Sequence, residues 1–427
     1  MSSPKRIVII GGGFSGLAAA QHLKGVNAQI TLIDRRNFHL FQPLLYQVAT
    51  GGLSPANISV PLRAALKRQR NMTVLLGEVD RIDVAAQTVT LNGEKTLQYD
   101  YLIVAAGSGH HYFGHPEWEQ YAPGLKTIED AIEIRRRVLL LFETAELEED
   151  PRMQDDLLRF VVVGGGPTGV ELAGALGEIA HQTLKGNFRR INPASSQILL
   201  MEGGAQILSG YSDKLVAKAK RALSGLGVTV RENTLVKEVG DGYILVQSQG
   251  RIERIKSRCV LWAAGVKASP LGAVLAQQTG AETDKSGRVF VGPDLSVPGH
   301  PEIYVIGDLA AVREARTPLP GVAPVAIQEG EYVASVLQAK LSDSRADMKS
   351  FHYRDKGAMT TVGRSFAIVQ LRHFAFAGFG AWLLWLWVHI IYLAQFTNRL
   401  LVVIQWGWNY FTLNRSARII TNRHSGD

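Results

Sequence analysis

Cysteine is almost missing from this chain: Cys259 is the one example in 427 residues. A redox pair of thiols is therefore excluded, and with it disulfide reduction by paired cysteines next to a prosthetic group. Cys259 itself lies in the run CVLWAAG, which reads as a buried strand thiol. The beginning of the sequence lacks a charged region, an apolar stretch and a small-residue cleavage site in that order, so secretion is not expected. No basic and aromatic module of the nucleic-acid-binding kind is present, and nucleic acid is not an expected partner. Between Arg372 and Arg399 there is no Asp, Glu, Lys or Arg at all.

The organising stretch is KRIVIIGGGFSG, from Lys5 to Gly16. The β-branched run Ile7 to Ile10 leads through Gly11, Gly13 and Gly16 into the helix-forming Leu17 to Ala20, a strand–turn–helix unit. Gly11 permits the tight turn, Gly13 lets the backbone approach a pyrophosphate, and Gly16 lets helix and strand pack closely, with the phosphates on the helix N-terminus. At the end of the next apolar strand, Gln29 to Ile33, Asp34 stands where an acceptor for a ribose 2′-hydroxyl is needed. The same unit recurs: Leu158 to Val163 enters Gly164, Gly165, Gly166, Pro167, Thr168 and Gly169, a helix follows to Ala180, and the strand Ser196 to Leu200 ends near Glu202. Two dinucleotides are expected. Strands ending in Ala105-Ala106-Gly107 and Ala263-Ala264-Gly265 repeat one terminus in both halves, as a duplicated domain would.

Further expectations follow along the chain. The irregular stretch Arg35 to Gly52 either closes over a planar ring system or packs as a connector. A helix is expected over 59–70, strands over 73–79, 87–91 and 99–104, and a helix over 127–149 whose Arg135, Arg136 and Arg137 form a solvated surface. A surface connection is expected over 143–156. The strand Ile303 to Ile306 delivers Asp308 to the carboxyl edge of a sheet, where it accepts a hydrogen bond from a cofactor hydroxyl or caps a following helix. A helix then starts near Pro324.

The net charge of +8 is unevenly placed, since residues 346–427 carry nine Lys and Arg against three acids. This excess beside an apolar, Trp-rich segment favours an anionic membrane surface. The charge-free interval is long enough to span a bilayer. A single span, however, would carry the arginines of the tail to the wrong face, whereas a pair of short interfacial helices keeps them on one side, with Trp and Tyr at headgroup level. A protein dimer interface is the remaining alternative for the same apolar face.

An insertion of the second nucleotide unit between segments serving the first suggests FAD on residues 1–120 and 280–340, with the nicotinamide cofactor in the middle. Glu202 accepts a 2′-hydroxyl but repels a 2′-phosphate, which favours NADH over NADPH.

RIVIIGGGFSG, FQPLLYQVATG, VVVGGGPTGVELAG, YVIGDLA, APVAIQEG and the basic Trp-rich tail, in this order, resemble the type II NADH:quinone oxidoreductases of the two-dinucleotide-domain flavoprotein superfamily. The resemblance covers nearly everything from Arg6 to about Arg418. It implies an α/β, glutathione-reductase-like fold of two Rossmann-like domains with a C-terminal membrane-associating helical segment. The implied partition is 1–122 and 276–345 for FAD, 123–275 for NADH, and 346–427 for membrane anchoring and quinone access. Gly11, Gly13, Phe14, Ser15, Gly16, Asp34 and Arg35 would hold the ADP part of FAD, with Val79 beside the adenine. Ala106 and Gly107 would lie along the cofactor, Asp308 on its ribitol side, and Ala326 and Ile327 near its ring. Gly166, Glu202 and Gly265 would contact NADH.

The resemblance also places Glu171 near the meeting point of nicotinamide and flavin, in a general acid, base or water-orienting role; a carboxylate favoured in the first turn of any helix is the alternative. Gln328 and Lys356 match positions around the quinone headgroup, though Lys356 also reads as an exposed turn cation facing lipid phosphate. Pro324 stands where many family members carry Gln. The implied protein is a homodimer, peripheral on the cytoplasmic face of the cell's inner membrane, that reduces quinone without pumping protons. A sulfide:quinone reductase would need more cysteines. A flavin-based NADH sensor, or a reductase of another acceptor, is the alternative reading.

Overall fold

The computed structural model describes residues 4–314, 317–342, 349–393, 396–412, 415 and 417–420. The chain divides into two compact units, one made of 1–40, 59–109 and 266–356, the other of 41–58, 110–265 and 357–427. Segment 41–58 thus groups with the second unit, which the partition at 122, 275 and 345 does not contain. The expected division at 345 and the cation Arg423 lie outside the described residues.

In the first unit, strand Lys5–Ile10 is central because everything in it from Ile7 onward is buried, as a β-branched run covered on both faces should be. It pairs in parallel with Ala28–Asp34, Lys5 opposite Ala28, and with Tyr101–Val104, Ile7 opposite Tyr101. Met72–Leu76 and His300–Val305 extend the parallel sheet on either side, and Ser296–Val297 closes one edge antiparallel. Helix Phe14–His22 packs against helix Ala323–Leu341 so closely that a Cβ on Gly330 would sit 2.2 Å from the Ser15 carbonyl oxygen. Val79 begins a separate antiparallel meander, Val79–Asp83, Thr88–Leu91 and Lys95–Gln98.

Two expectations for this unit are corrected. The helix expected over 59–70 is cut to Leu62–Leu66, because Ser59–Pro61 is drawn into a ribbon with Phe38–Leu40. No helix follows Asp308: Gly307–Leu309 is a single 3₁₀ turn, and Ala310–Ala311 pairs with Val289–Phe290.

The second unit repeats the plan with four parallel strands, in the order Val228–Arg231, Gln197–Met201, Arg159–Val163 and Cys259–Trp262. Helix Ile128–Leu147 opens on a reciprocal cap, the Asp130 N–H donating to Thr127 Oγ1 at 3.1 Å and the Thr127 N–H to Asp130 at 2.9 Å. The solvated surface expected of its arginines fails at Arg135, which is 5% exposed, and burial lowers its pKa. Arg136 and Arg137 instead share Glu133 at 2.8 and 2.6 Å. The connection expected over 143–156 is mostly helical, since this helix runs on to Leu147 and Pro151–Leu157 forms another.

The chain after Lys356 adds an antiparallel sheet, Ala358–Thr361, Ala367–Gln370 and Ala375–Gly378, then helices Phe379–Tyr392 and Phe396–Thr412. No helix among the described residues is long and apolar enough to cross a membrane. The charge-free interval is broken by the short strand and by Leu393, and its helix of 14 residues reaches only about 21 Å against an apolar bilayer thickness of about 30 Å.

Helix Phe396–Thr412 is amphipathic in the reverse sense, with its polar groups turned inward. Asn398 donates to the Ala56 carbonyl at 3.2 Å, the Trp406 indole N–H to Gln47 Oε1 at 2.7 Å, and Asn409 to the Gly52 carbonyl at 2.9 Å. Leu400, Leu401, Val403, Ile404, Trp408 and Phe411 face outward and are exposed, Phe411 to 85%. Four of the C-terminal arginines are committed to the fold. Arg364 donates to the Tyr410 carbonyl, Arg399 to the carbonyls of Leu393 and Ile391, Arg415 to that of Thr50, and Arg418 to those of Arg415 and Thr183.

Candidate functional site

The two glycine turns are built alike, atom for atom. Gly11 sits at φ +101°, where a Cβ would lie 2.3 Å from the Ala105 carbonyl oxygen, and Gly164 at φ +108°, where a Cβ would lie 2.7 Å from Ala263. A Cβ on Gly16 or on Gly169 would meet the carbonyl oxygen of Gly11 or Gly164 at 1.8 Å. At the helix starts the opposite holds: Gly13 and Gly166 have nothing within 4 Å of an added Cβ, and no side chain caps either helix. Each helix start therefore opens onto space suited to phosphate oxygens.

The acids are held alike too. Gly12 N–H donates to Asp34 Oδ2 at 2.6 Å and Arg36 N–H to Oδ1 at 2.7 Å. Gly165 N–H donates to Glu202 Oε2 at 2.7 Å and Gly204 N–H to Oε1 at 2.6 Å. Each carboxylate keeps lone pairs for ribose hydroxyls and is aimed by backbone alone. Gly107 at φ +68° and Gly265 at φ +72° end the matching strands. These features fit one dinucleotide per unit.

Around the first turn, Phe14 stands edge-on to His39, with ring centroids 5.0 Å apart, and His39 Nδ1 lies 3.0 Å from the Gly12 carbonyl. Burial lowers the His39 pKa, so the ring is a neutral prop for the turn. Ser15 is buried, Arg35 is exposed, and Val79 is buried at the start of its meander. Ala106 is half-buried, and the Gly107 carbonyl accepts from Ser269 N–H at 3.0 Å. Asp308 accepts from Ser108 Oγ at 2.6 Å and lines a small cleft with Gly307, Ala326 and Glu329. Ile327 is half-buried one residue along. Glu329 is 1% exposed and accepts from Gly307 N–H at 2.5 Å; burial pushes its pKa up to about 8.

Gln328 grips the backbone of Arg354 from both ends, its Nε2 donating to the carbonyl at 3.1 Å and its Oε1 accepting from the N–H at 3.0 Å. Lys356, two residues along the gripped segment, is exposed. The structure thus brings these two expected residues into one neighbourhood and leaves the Gln328 amide one N–H and one lone pair. Pro324 is in the first turn of its helix, where a missing N–H costs nothing.

In the second unit Glu171 accepts from Thr361 N–H at 3.4 Å. Burial pushes its pKa up to about 8, and that hydrogen bond opposes the rise only in part. Two tyrosines close the same neighbourhood: Tyr46 Oη lies 3.1 Å from Thr361 Oγ1 and Tyr211 Oη 2.7 Å from Thr360 Oγ1. Burial raises the pKa of both, with Glu171 adding to each rise. Cys259 is buried, its thiol pushed up to about 12 by burial, and it is no nucleophile.

Of the stretch Arg35 to Gly52, which the sequence leaves open between ring cover and connector, Tyr46, Gln47 and Gly52 form one wall of an aromatic cleft in this unit. Tyr46, Gln47, Trp382, Trp385, Trp406 and Tyr410 line about 90 Å³ of space, together with Glu178, Arg364 and Arg415. Trp382 stacks on Tyr410 at 5.5 Å and Trp385 on His389 at 3.9 Å. The buried Trp385 indole N–H has no acceptor among the described residues. His39, Glu178, Glu329 and this indole were missed from sequence, because each is a lone residue whose environment is made by distant segments.

Residues 5–330 match the family described as pyridine nucleotide-disulphide oxidoreductase. The type II NADH:quinone oxidoreductases Ndh and NdhA of Mycobacterium tuberculosis are 44% and 45% identical to the chain, each over 98% of it and over 91% and 90% of their own lengths. Among solved structures, NDH2 of Plasmodium falciparum in complex with NADH superposes with a TM-score of 0.89 at 21% identity, over 98% of this chain and 100% of that one. The sulfide:quinone oxidoreductase of Aquifex aeolicus shares the fold at a TM-score of 0.72 and 18% identity, over 98% and 93%.

Proposed function

The chain belongs to the type II NADH:quinone oxidoreductases within the pyridine nucleotide-disulphide oxidoreductase family, and we propose that it oxidises NADH and passes two electrons through FAD to a membrane quinone. The observation that carries this reading is the pair of matching cradles, one per unit, each with an open helix start and an acid aimed by two backbone N–H groups. Bound FAD supplies the hydride acceptance and the two-electron delivery that side chains cannot. The first unit, with Gly11, Gly13, Gly16 and Asp34, holds it. Ser108 and Asp308 take its hydroxyls, and Ala326 and Ile327 lie along its ring.

The second unit holds NADH. Glu202 accepts the ribose 2′-hydroxyl and would repel a 2′-phosphate, so NADH is preferred to NADPH. Glu171 holds a proton at neutral pH and orients the reacting end of the nicotinamide. Gln328, through its spare N–H, and Lys356 serve the quinone headgroup. The aromatic cleft offers flat faces, and the Trp385 N–H offers an unmet donor, to a ring bearing carbonyl oxygens. The enzyme is of the non-pumping type.

The protein docks on the inner membrane as a peripheral homodimer through the outward apolar face of its last helices. The C-terminal arginines keep their charge while donating to the protein's own neutral carbonyls, so attraction to anionic headgroups adds to that apolar docking. Steady-state oxidation of NADH and of NADPH by a soluble quinone analogue tests the reading: quinone-dependent NADH oxidation with a marked preference over NADPH is expected, and no quinone-dependent rate would overturn it.

A further inference from the structure

Helix Pro167–Glu178 begins at the second glycine turn and ends on a buried carboxylate that the nucleotide chemistry does not use. Glu178 is 5% exposed. Its Oε1 accepts from the Arg364 N–H at 2.6 Å and its Oε2 from Arg415 Nη2 at 2.5 Å. Gly363, at φ +69°, carries the chain past the carboxylate where a Cβ would lie 2.8 Å from Oε1, so the turn before Arg364 is shaped around this acid. Arg415 completes the arrangement by donating to the Thr50 carbonyl at 3.1 Å. One carboxylate therefore ties three distant places of the unit together: the sheet turn at 363–364, Arg415, and, through Arg415, the carbonyl of Thr50.

All three pieces of this knot border the aromatic cleft or flank it, and Glu178, Arg364 and Arg415 line it directly. An ion pair this buried is a poor source of net stability, because desolvating both charges offsets most of their attraction. Breaking one side is costly, however, since it strands the other charge, so the pair enforces one arrangement rather than deepening the fold. Leu226 closes the far side, its side chain reaching the same turn at Gly363.

We propose that Glu178, paired with Arg415, is a positioning residue for the electron acceptor: it pins Arg415 against the aromatic cleft and so sets the shape in which a quinone ring is received. This rests on the quinone reading above. It assigns Glu178 no contact with the nicotinamide and no part in hydride transfer. The pairing separates the two halves of the reaction, and a fault in it should appear in one half alone.

The test is a double-mutant cycle on the full-length holoenzyme with Glu178→Gln, Arg415→Gln and both together. The Glu178→Gln change keeps an acceptor for the Arg364 N–H while removing the charge. Initial rates are measured with NADH and either a ubiquinone or menaquinone analogue or a soluble dye that takes electrons from the reduced enzyme. Each single variant should raise the quinone KM about tenfold, with the NADH KM and the dye rate within about twofold of the parent. The double variant should be no worse than either single one, as expected for two residues acting through one contact. A quinone KM unchanged in both single variants overturns the proposal. So does a dye rate that falls as far as the quinone rate, which a merely structural role would give, and so do single effects that multiply in the double variant. Should Glu178→Gln fail to fold, Arg415→Gln, altered outside any helix, decides by the same KM split. A parent enzyme that reduces the dye but no quinone would overturn the quinone reading and this proposal with it, whereas a parent active on quinone with silent variants would overturn this proposal alone.

Discussion

The two glycine turns differ least at their glycines and most one turn further into the helix. Gly11, Gly13 and Gly16 are matched by Gly164, Gly166 and Gly169 in conformation and in what an added Cβ would strike. Yet the position five residues after Gly13 is the buried Ala18, and the position five after Gly166 is Glu171. The first helix packs on small residues against Ala323–Leu341, while the second carries a carboxyl whose proton is held by burial. The backbone of such a turn is a general device for phosphates, and the side chains of the first helical turns are where the two units part.

That comparison breaks most visibly at its glycines. Gly16→Ala puts a methyl group 1.8 Å from the Gly11 oxygen and should give protein without bound flavin, read as loss of visible absorbance. Gly169→Ala makes the same clash in the second unit and should leave the protein yellow but unable to be reduced by NADH at ordinary concentrations. Identical outcomes for the two would mean that the units do not divide the cofactors as stated.

The next effect concerns Glu171. Burial pushes its carboxyl pKa up to about 8. If the protonated form is the active one, Glu171→Gln should flatten the fall in kcat that the parent shows through that pH, at a cost of about 10²-fold in the hydride step. Stopped-flow bleaching at several pH values checks both. Because the folded-state pKa lies above the unfolded one, this residue favours the fold most at low pH and loses that contribution as pH rises through about 8, so the variant should gain Tm relative to the parent at alkaline pH.

Smaller is the change at the acids. Glu202→Gln removes the charge that repels a 2′-phosphate and should narrow the NADH over NADPH preference in kcat/KM by about tenfold, or roughly 1.4 kcal/mol. Smallest is the response of membrane attachment to salt. With an exposed apolar face carrying the attachment, raising ionic strength should release only part of the protein from vesicles, whereas Trp408→Ser or Phe411→Ser should each weaken binding by about 1.5–3 kcal/mol. Co-sedimentation with vesicles measures both.

The cradles were legible in the sequence because their physics is local: a glycine needed at positive φ, an open helix start and an acid at the next strand end lie within a short stretch of chain. Duplication made the reading firmer, since Ala-Ala-Gly recurs at both strand ends. The tail was legible in kind, as short helices with an apolar face, but the partners of its charges were not. Counting arginines gives their charge but not their geometry, and four of them cap or staple carbonyls that only the folded chain brings near. Arg135 went inward for the same reason. The helix expected over 59–70 failed because Ser59–Pro61 pairs with Phe38–Leu40, a partnership between separate stretches that helical periodicity cannot register. Glu178 and Glu329 carry no local signal at all, and their burial is the work of segments far away in the chain.

The most direct measurement of the central claim is an anaerobic titration of the purified flavoprotein. NADH should bleach the flavin absorbance with a stoichiometry of one NADH per flavin, and a ubiquinone or menaquinone analogue added afterwards should restore it. A flavin that NADH leaves yellow, or one that stays bleached when quinone is added, would contradict the account.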